Sequence, residues 1–369
     1  MRERKTDRKS LTRRVLIAGF TTRHVASSAH AAGYQVFAVD HFCDHDLSRY
    51  ADDCLTFNDL DSLPAAIEQM SGRHSCDIFV PTSGAEMLPV GIPRYGPAPE
   101  RAATFLDKGL TSCFFQETGV PAPATLPERT YPAMVKPRSG SGGWRNAVLH
   151  NDDQWRKWKE ELDDPPALWQ EVVQGTPASV CCVTDGTRAR AVAVNEQLLR
   201  GGEDAAYGFS GSITPFVHPF ADELVRCAEK IASASGCTGT IGVDFVVGET
   251  PYAIEVNPRF QGTVDTVEMA TGINLFSLHV DACEGRIPEK MPVPGQFAAR
   301  KILFARDDLQ VGEDLINFPF VADVPWAGSN VEKGGAIVSV YGWGQSRRDA
   351  ILMLDKHIST VQQYIGRTS

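Results

Sequence analysis

Between Thr240 and Thr263 the chain reads "TIGVDFVVGETPYAIEVNPRFQGT", two apolar runs separated by a few turn-forming residues, the second ending in alternating polar side chains. Runs of strand length joined this tightly pair as antiparallel neighbours, and residues two apart on a strand share a face. Glu255, Asn257 and Arg259 then point together, with Asp244 of the first run opposite. Such a face is either an ion-paired sheet surface in water or a set of hard oxygen ligands beside a cation. Magnesium takes one or two carboxylates and completes its shell with water and phosphate oxygens, which this set would allow.

A second stretch, about a hundred residues earlier, favours the ligand reading. "VKPRSGSGG" places Lys136 at a strand end, followed by Ser139, Gly140, Ser141, Gly142 and Gly143. Glycines let backbone N–H groups close on phosphate oxygens while a neighbouring Lys adds positive charge. Alone the loop reads equally well as a flexible hairpin tip; together with the carboxylate set it reads as a nucleotide site. It is not a P-loop, since no G-K-[ST] follows the glycines, and the H-R-D and D-F-G signatures of protein kinases are absent.

The N-terminal part alternates strand and helix: "RVLIAGF", a helical "RHVASSAHAAG", "YQVFAVD", and a third strand "CDIFVPT". That order implies a parallel sheet whose ligands collect at the strand carboxyl ends. "AGFTTRH" has one glycine where a dinucleotide fingerprint needs three, which excludes a nicotinamide or flavin site. Thr21, Thr22 and Arg23 at the helix start either hold an anion or simply cap. The same holds for "PTSGAE", whose Ser83 and Glu86 are candidate substrate contacts. "GIPRYGPAPE" marks a boundary near residue 95. Beyond it come one helix, "ERAATFLDKGLTSCFFQETG", then strands around the glycine loop and a hairpin at Asp185-Gly186. A helix follows with Leu224, Val225, Ala228, Ile231 and Ala232 at helical spacing. Past about residue 290 lies a shorter module with "GGAIVSVYGWG" and a last amphipathic helix. The Gly-rich and polar segment from Glu196 to Phe216 reads as a substrate-side loop, with Arg200 as a carboxylate clamp or an ordinary surface arginine.

Of 369 residues 43% are apolar and 22% charged, enough for two or three domains, and the net charge of -10 speaks against nucleic acid or an anionic membrane as partner. The basic N-terminal stretch leads only into a short apolar run, so a cytoplasmic protein with a frayed N-terminus is expected. Nine cysteines without a C-x-x-C pair are expected to be reduced thiols. His41, Cys43, Asp44 and His45 are all metal-ligand types, but lie too close in sequence to converge readily on one ion, so a solvated loop is expected there.

The order Asp107-Lys108, "VPAP", "MVKPRSGSGG", "WQEVVQG" and "GVDFVV…AIEVNPRFQG" resembles the ATP-grasp superfamily over roughly residues 100 to 285, in its carbamoyl-phosphate-synthase-like and biotin-carboxylase-like branch. The resemblance implies an α/β and α+β architecture. A Rossmann-like domain (13–98) would precede an ATP-grasp domain (99–290, lid about 131–195) and a small C-terminal β-rich module (291–369). It implies that Lys108 and Lys136 touch ATP phosphates under the loop 139–143, and that Glu171 and Val173 line the adenine pocket. Asp244, Glu255 and Asn257 would hold two magnesium ions, replaceable by manganese, and Arg259 would stabilise charge on the reacting carboxylate. Where the family often has a ribose-binding acid, this chain offers Ser179. The implied activity is ADP-forming ligation of a small-molecule carboxylate to an amine through an acyl phosphate, with a homodimer as the usual assembly. A carboxylase or carbamoyl-phosphate-type subunit and a non-catalytic ATP-binding protein are the alternatives. The C-terminal "DVPWAGSNVEKGGAIVSVYGWG" is similar to ATP-grasp proteins of C1-carrier cofactor assembly.

Overall fold

The computed structural model describes residues 12–140, 142–143, 145–201, 206–312 and 314–365; the basic N-terminal stretch and Ser141 of the glycine loop lie outside them. Strands β1 (Arg14–Gly19), β2 (Gln35–Asp40), β3 (Asp53–Leu55) and β4 (Ile78–Pro81) form a parallel sheet in the order β3-β2-β1-β4. Alternation of side chains across the sheet explains its two cores. Val15, Ile17, Val36 and Ala38 pack with α1 (Arg23–Ala31), whereas Leu16, Ala18, Phe37 and Val39 pack with α2 (Leu63–Arg73). The run expected as the third strand is therefore the fourth; β3 has three residues, too few to show a period.

The single helix expected from Glu100 to Gly119 is two, α3 (Pro99–Leu106) and α4 (Lys108–Thr118). Asp107 is extended between them and its carboxylate accepts from the amides of Gly109 at 2.7 Å and Leu110 at 3.0 Å. Such an N-cap satisfies orphan donors that a continuous helix would not expose. A small antiparallel sheet follows, β6-β5-β7, from β5 (Ala133–Pro137), β6 (Ala147–Leu149) and β7 (Ala167–Gln170). Helix α5 (Asp152–Glu161) covers it through Trp155 and Trp158, which pack with Trp169.

The large sheet is built from β8 (Thr176–Asp185), β9 (Ala189–Leu199), β10 (Phe209–Thr214), β11 (Thr238–Val247), β12 (Pro251–Asn257) and β13 (Phe297–Phe304). A two-stranded ribbon pairs β14 (Leu309–Gln310) with β16 (Asn330–Val331), while β15 (Val321–Ala322) and β17 (Ala336–Gly344) join the large sheet. Its order is β12-β11-β8-β9-β10-β13-β17-β15. The expected lid ran to residue 195, but β8 and β9 are central strands of this sheet. The C-terminal strands continue the same sheet while keeping a core of their own around Val338, Val340 and Leu354. Helices α6 (Ala221–Ala234), α7 (Val264–Thr271), α8 (Leu275–Cys283) and α9 (Arg347–Ile365) pack on it, α6 through the expected Leu224, Ala228, Ile231 and Ala232.

Cys43 and Cys54 are joined as a disulfide, so the expectation of nine reduced thiols is corrected. Residues 41–44 form a loop, as expected, but His41, Cys43 and Asp44 are half-buried rather than solvated; His41 stacks on Phe20 at 4.6 Å, and His45, the start of a short 3-10 helix, on Trp326 at 4.0 Å. Among the described residues no group of three or more His, Cys, Asp and Glu side chains could hold a metal ion, and no helix is long and apolar enough to cross a membrane.

Candidate active site

Strands β11 and β12 pair antiparallel with Asp244 opposite Glu255 and Gly242 opposite Asn257, a bulge following Asp244. Directly opposed residues project to one side, so Asp244, Glu255 and Asn257 open together into a cavity of about 530 Å³. Lys136 from β5, Arg259, Glu171, Val173, Ser179, Gly142, Gly143 and Ser83 line the same space, which thus lies between the small sheet, the large sheet and the carboxyl ends of the N-terminal strands. Lys108, Ser139 and Gly140 line an adjoining cavity of about 280 Å³ that shares Phe20, Ser83, Gly143 and Asn146 with the first.

Asp244 accepts from the Gln197 amide at 3.0 Å and from the Asn257 amide at 3.1 Å. Burial first, and then the charge of Glu255, push its carboxyl up to about 7. Two half-buried carboxylates facing each other beside an amide repel in the absence of a cation between them. A divalent ion that keeps water and phosphate ligands fits this donor set without a third carboxylate. Lys136 is buried, and desolvation lowers its ammonium to about 8 although Glu255 and Asp244 oppose that shift.

Lys108 is the first residue of α4, where the helix dipole disfavours a cation; its ammonium donates to the Gly140 carbonyl. It therefore ties α4 to the glycine loop. Gly143, with φ of +73°, leaves the place a side chain would take to the carbonyl of Tyr207, and Gly142 accepts from the Phe209 amide at 3.2 Å. The Glu171 carboxylate accepts from the Ala124 amide at 2.9 Å, and the Ser179 hydroxyl from the Asn195 amide at 3.2 Å.

Three candidate contacts that the sequence left open are engaged within the protein. Arg200 lines neither cavity; its guanidinium stacks 4.2 Å above the Phe304 ring, a contact with the C-terminal strands. Glu86 is not open to a substrate either. It is buried, with one carboxylate oxygen accepting from Arg259 Nε at 2.8 Å and the other from the Gly84 amide at 2.6 Å. At the start of α1 no external anion is needed, because Asp40 accepts from the Thr22 hydroxyl at 2.8 Å and Arg23 is held by Asp265 and Asp323.

Several lining residues escaped sequence reasoning. Gln197 follows Asn195 by two on β9, and that period-2 spacing was the available signal. Met134, Val246 and Ile254 give the cavity apolar walls, but in sequence they look like any core residue.

Residues 105–263 match the ATP-grasp domain family. The chain is 27% identical over 193 residues to the carbamoyl phosphate synthase large chain of Thermus thermophilus, covering 48% of this chain and 19% of that one. In fold it is similar to biotin carboxylase of Campylobacter jejuni, solved as a beta-gamma-ATP complex (TM-score 0.77, 18% identity, 95% of this chain and 91% of that one). It is likewise similar to L-amino acid ligase of Bacillus licheniformis (TM-score 0.69, 15% identity, 94% and 97%). The chain spans 36% and 19% of the length of two curated relatives that it matches. Most residues that line the cavity, Lys136, Asp244, Glu255, Asn257 and Arg259 among them, lie within the stretch 105–263 that matches the ATP-grasp domain family.

Proposed function

We propose that the chain is an ATP-dependent, ADP-forming ligase that joins a small-molecule carboxylate to an amine through an acyl phosphate. The observation that carries this reading is the shared face of Asp244, Glu255 and Asn257 opening into one cavity with Lys136 and Arg259. The apolar Met134, Val246 and Ile254 suit a flat base, with Glu171 and Val173 at its edge and Ser179 the hydroxyl nearest a ribose role. Lys136 and Lys108, with the glycine loop, would hold the phosphates.

Asp244, Glu255 and Asn257 would hold magnesium, which when bound screens the phosphates from an attacking anion. The chain's own residues do the rest. Lys136 lowers the repulsion between carboxylate and γ-phosphate, and Arg259 offers a planar fork for the acyl oxygens that Lys could not reproduce. Closure of the small sheet and glycine loop would keep water from the acyl phosphate before the amine attacks. From the sequence resemblance to ATP-grasp proteins of C1-carrier cofactor assembly, such as tyramine–glutamate ligase of methanofuran synthesis, small amino-acid-like substrates are proposed for the pair.

The test is ADP release across a panel of acids and amines with hydroxylamine as a trap. Release that needs both partners, with a hydroxamate when hydroxylamine replaces the amine, supports the ligase. Release that depends on bicarbonate alone assigns the carboxylase reading instead, and nucleotide binding without turnover assigns a sensor.

A further inference from the structure

Arg259, the one guanidinium lining the cavity among the described residues, does not hold itself in place. It follows β12 by two residues, and its backbone neighbour Pro258 leaves the sheet; an arginine there has several open rotamers and loses considerable entropy on being fixed. The group that fixes it comes from a different part of the chain, 173 residues earlier. Glu86 lies in the loop after β4, and its carbonyl and both carboxylate oxygens are engaged. Its carbonyl accepts from Arg94, its Oε2 accepts from the Gly84 amide, and its Oε1 accepts from Arg259 Nε at 2.8 Å. Gly84 has φ of +92° and packs on Leu60, so the turn that aims the carboxylate suits glycine alone.

We infer that Glu86 is a positioning residue for Arg259: by accepting from Nε it turns the two Nη groups toward the cavity, so that the N-terminal sheet sets the aim of a cation belonging to the ATP-grasp domain. Nη1 meanwhile donates to the Phe260 carbonyl at 3.3 Å, which limits rotation about the last bond. Asp244 and Glu255, both in the oxygen set proposed for magnesium, line the same cavity as Arg259. The carboxylate at position 86 thus keeps the arginine off its own metal ligands. This inference rests on the ligase reading for its effect on turnover, though not for the contact itself.

Two readouts test it. In an arginine side-chain Nε–H spectrum, the Arg259 signal, assigned by its loss in Arg259→Lys, exchanges slowly with water in the wild type and in Glu86→Gln, whose amide oxygen still accepts. It exchanges fast in Glu86→Ala and in Glu86→Asp, which is one methylene too short; should the alanine variant not fold, the aspartate variant carries the comparison. In turnover, Glu86→Ala lowers kcat by about 10²-fold, the cost of misplacing a reacting-site group by about 1 Å, while KM for ATP stays within about twofold. Glu86→Gln recovers most of the loss, and Glu86→Ala adds nothing in an Arg259→Ala background. Unchanged exchange in the shortened variants, a glutamine variant as impaired as alanine, or additive losses would each overturn the inference. A wild type without turnover would instead count against the ligase reading and leave the exchange measurement to decide.

Discussion

Asp244 shows at the scale of one residue how the site trades stability for a binding function. Its carboxyl sits well above the ordinary 3.8 because burial and the facing Glu255 both penalise the charge. A folded-state value raised above the unfolded one means that the native state binds this proton more tightly. The contribution is present below 3.8 and is lost as pH rises towards 7, so the metal-free protein becomes less stable through this group over that window. A magnesium ion held by the proposed set would offset the penalty, so its thermal stabilisation should be larger at pH 8 than at pH 6; an equal shift at both would contradict the assignment. Asp244→Asn should raise the melting temperature of the metal-free protein at pH 8 while lowering turnover by about 10²-fold or more, as loss of a charge-stabilising group does. Lys136, lowered to about 8 by burial, loses its charge just above the pH where Asp244 gains its own. Nucleotide affinity measured by calorimetry with magnesium should peak between these two values.

At the scale of elements, the glycine loop and the start of α4 act as one unit through Lys108 and Gly140. A Gly143→Ala variant must take a left-handed backbone, which costs roughly 1–2 kcal/mol, and must push against the Tyr207 carbonyl. KM for ATP should rise about tenfold or more, since 1.4 kcal/mol is a factor of ten, with far-ultraviolet dichroism unchanged. Asp107→Ala removes an N-cap worth about 1 kcal/mol and also releases Arg138, which it holds at 2.9 Å; a lowered melting temperature checks it. Where local rules govern, these elements were legible in sequence. Period-2 alternation put Asp244, Glu255 and Asn257 on one face, and that is how β11 and β12 pair. The break at Asp107 was missed because apolar periodicity runs through it while the capping signal is one residue. Sequence left Arg200 open between clamp and surface arginine because Phe304, which it stacks on, lies far along the chain, and the partner of Glu86 went unseen because Arg259 does. Contacts of that separation leave no mark on local composition.

Across the whole molecule, a buried ionic cluster ties the three parts together behind the cavity. Arg23 of the N-terminal domain meets Asp265 at 2.7 Å and Asp323 at 2.9 Å, and Arg300 of β13 meets Asp323 at 2.8 Å. Arg300 also donates to Ser339 and to the Gly262 carbonyl on the cavity wall. The carboxyl of Asp265 is held at about 2; although burial alone would raise it, Arg23 more than offsets that. A depressed value stabilises the fold above the unfolded value of 3.8, and the contribution is lost as pH falls towards 2. Removing one partner leaves uncompensated buried charge, so Asp323→Ala should destabilise by about 3–5 kcal/mol in denaturant titrations. A loss below about 1 kcal/mol, the range of surface pairs, would refute the cluster's structural role. The cluster lies where the C-terminal strands of the expected small module continue the central sheet. That pairing depends on partners that only the folded chain brings together.

The most direct test of the account follows an oxygen atom. With a carboxylate substrate labelled in both oxygens with ¹⁸O, transfer through an acyl phosphate should deliver one labelled oxygen to each inorganic phosphate released, as read by mass spectrometry. Phosphate that carries no label from the acid, and instead takes its oxygen from labelled water, would mean that the cavity hydrolyses ATP without activating a carboxylate.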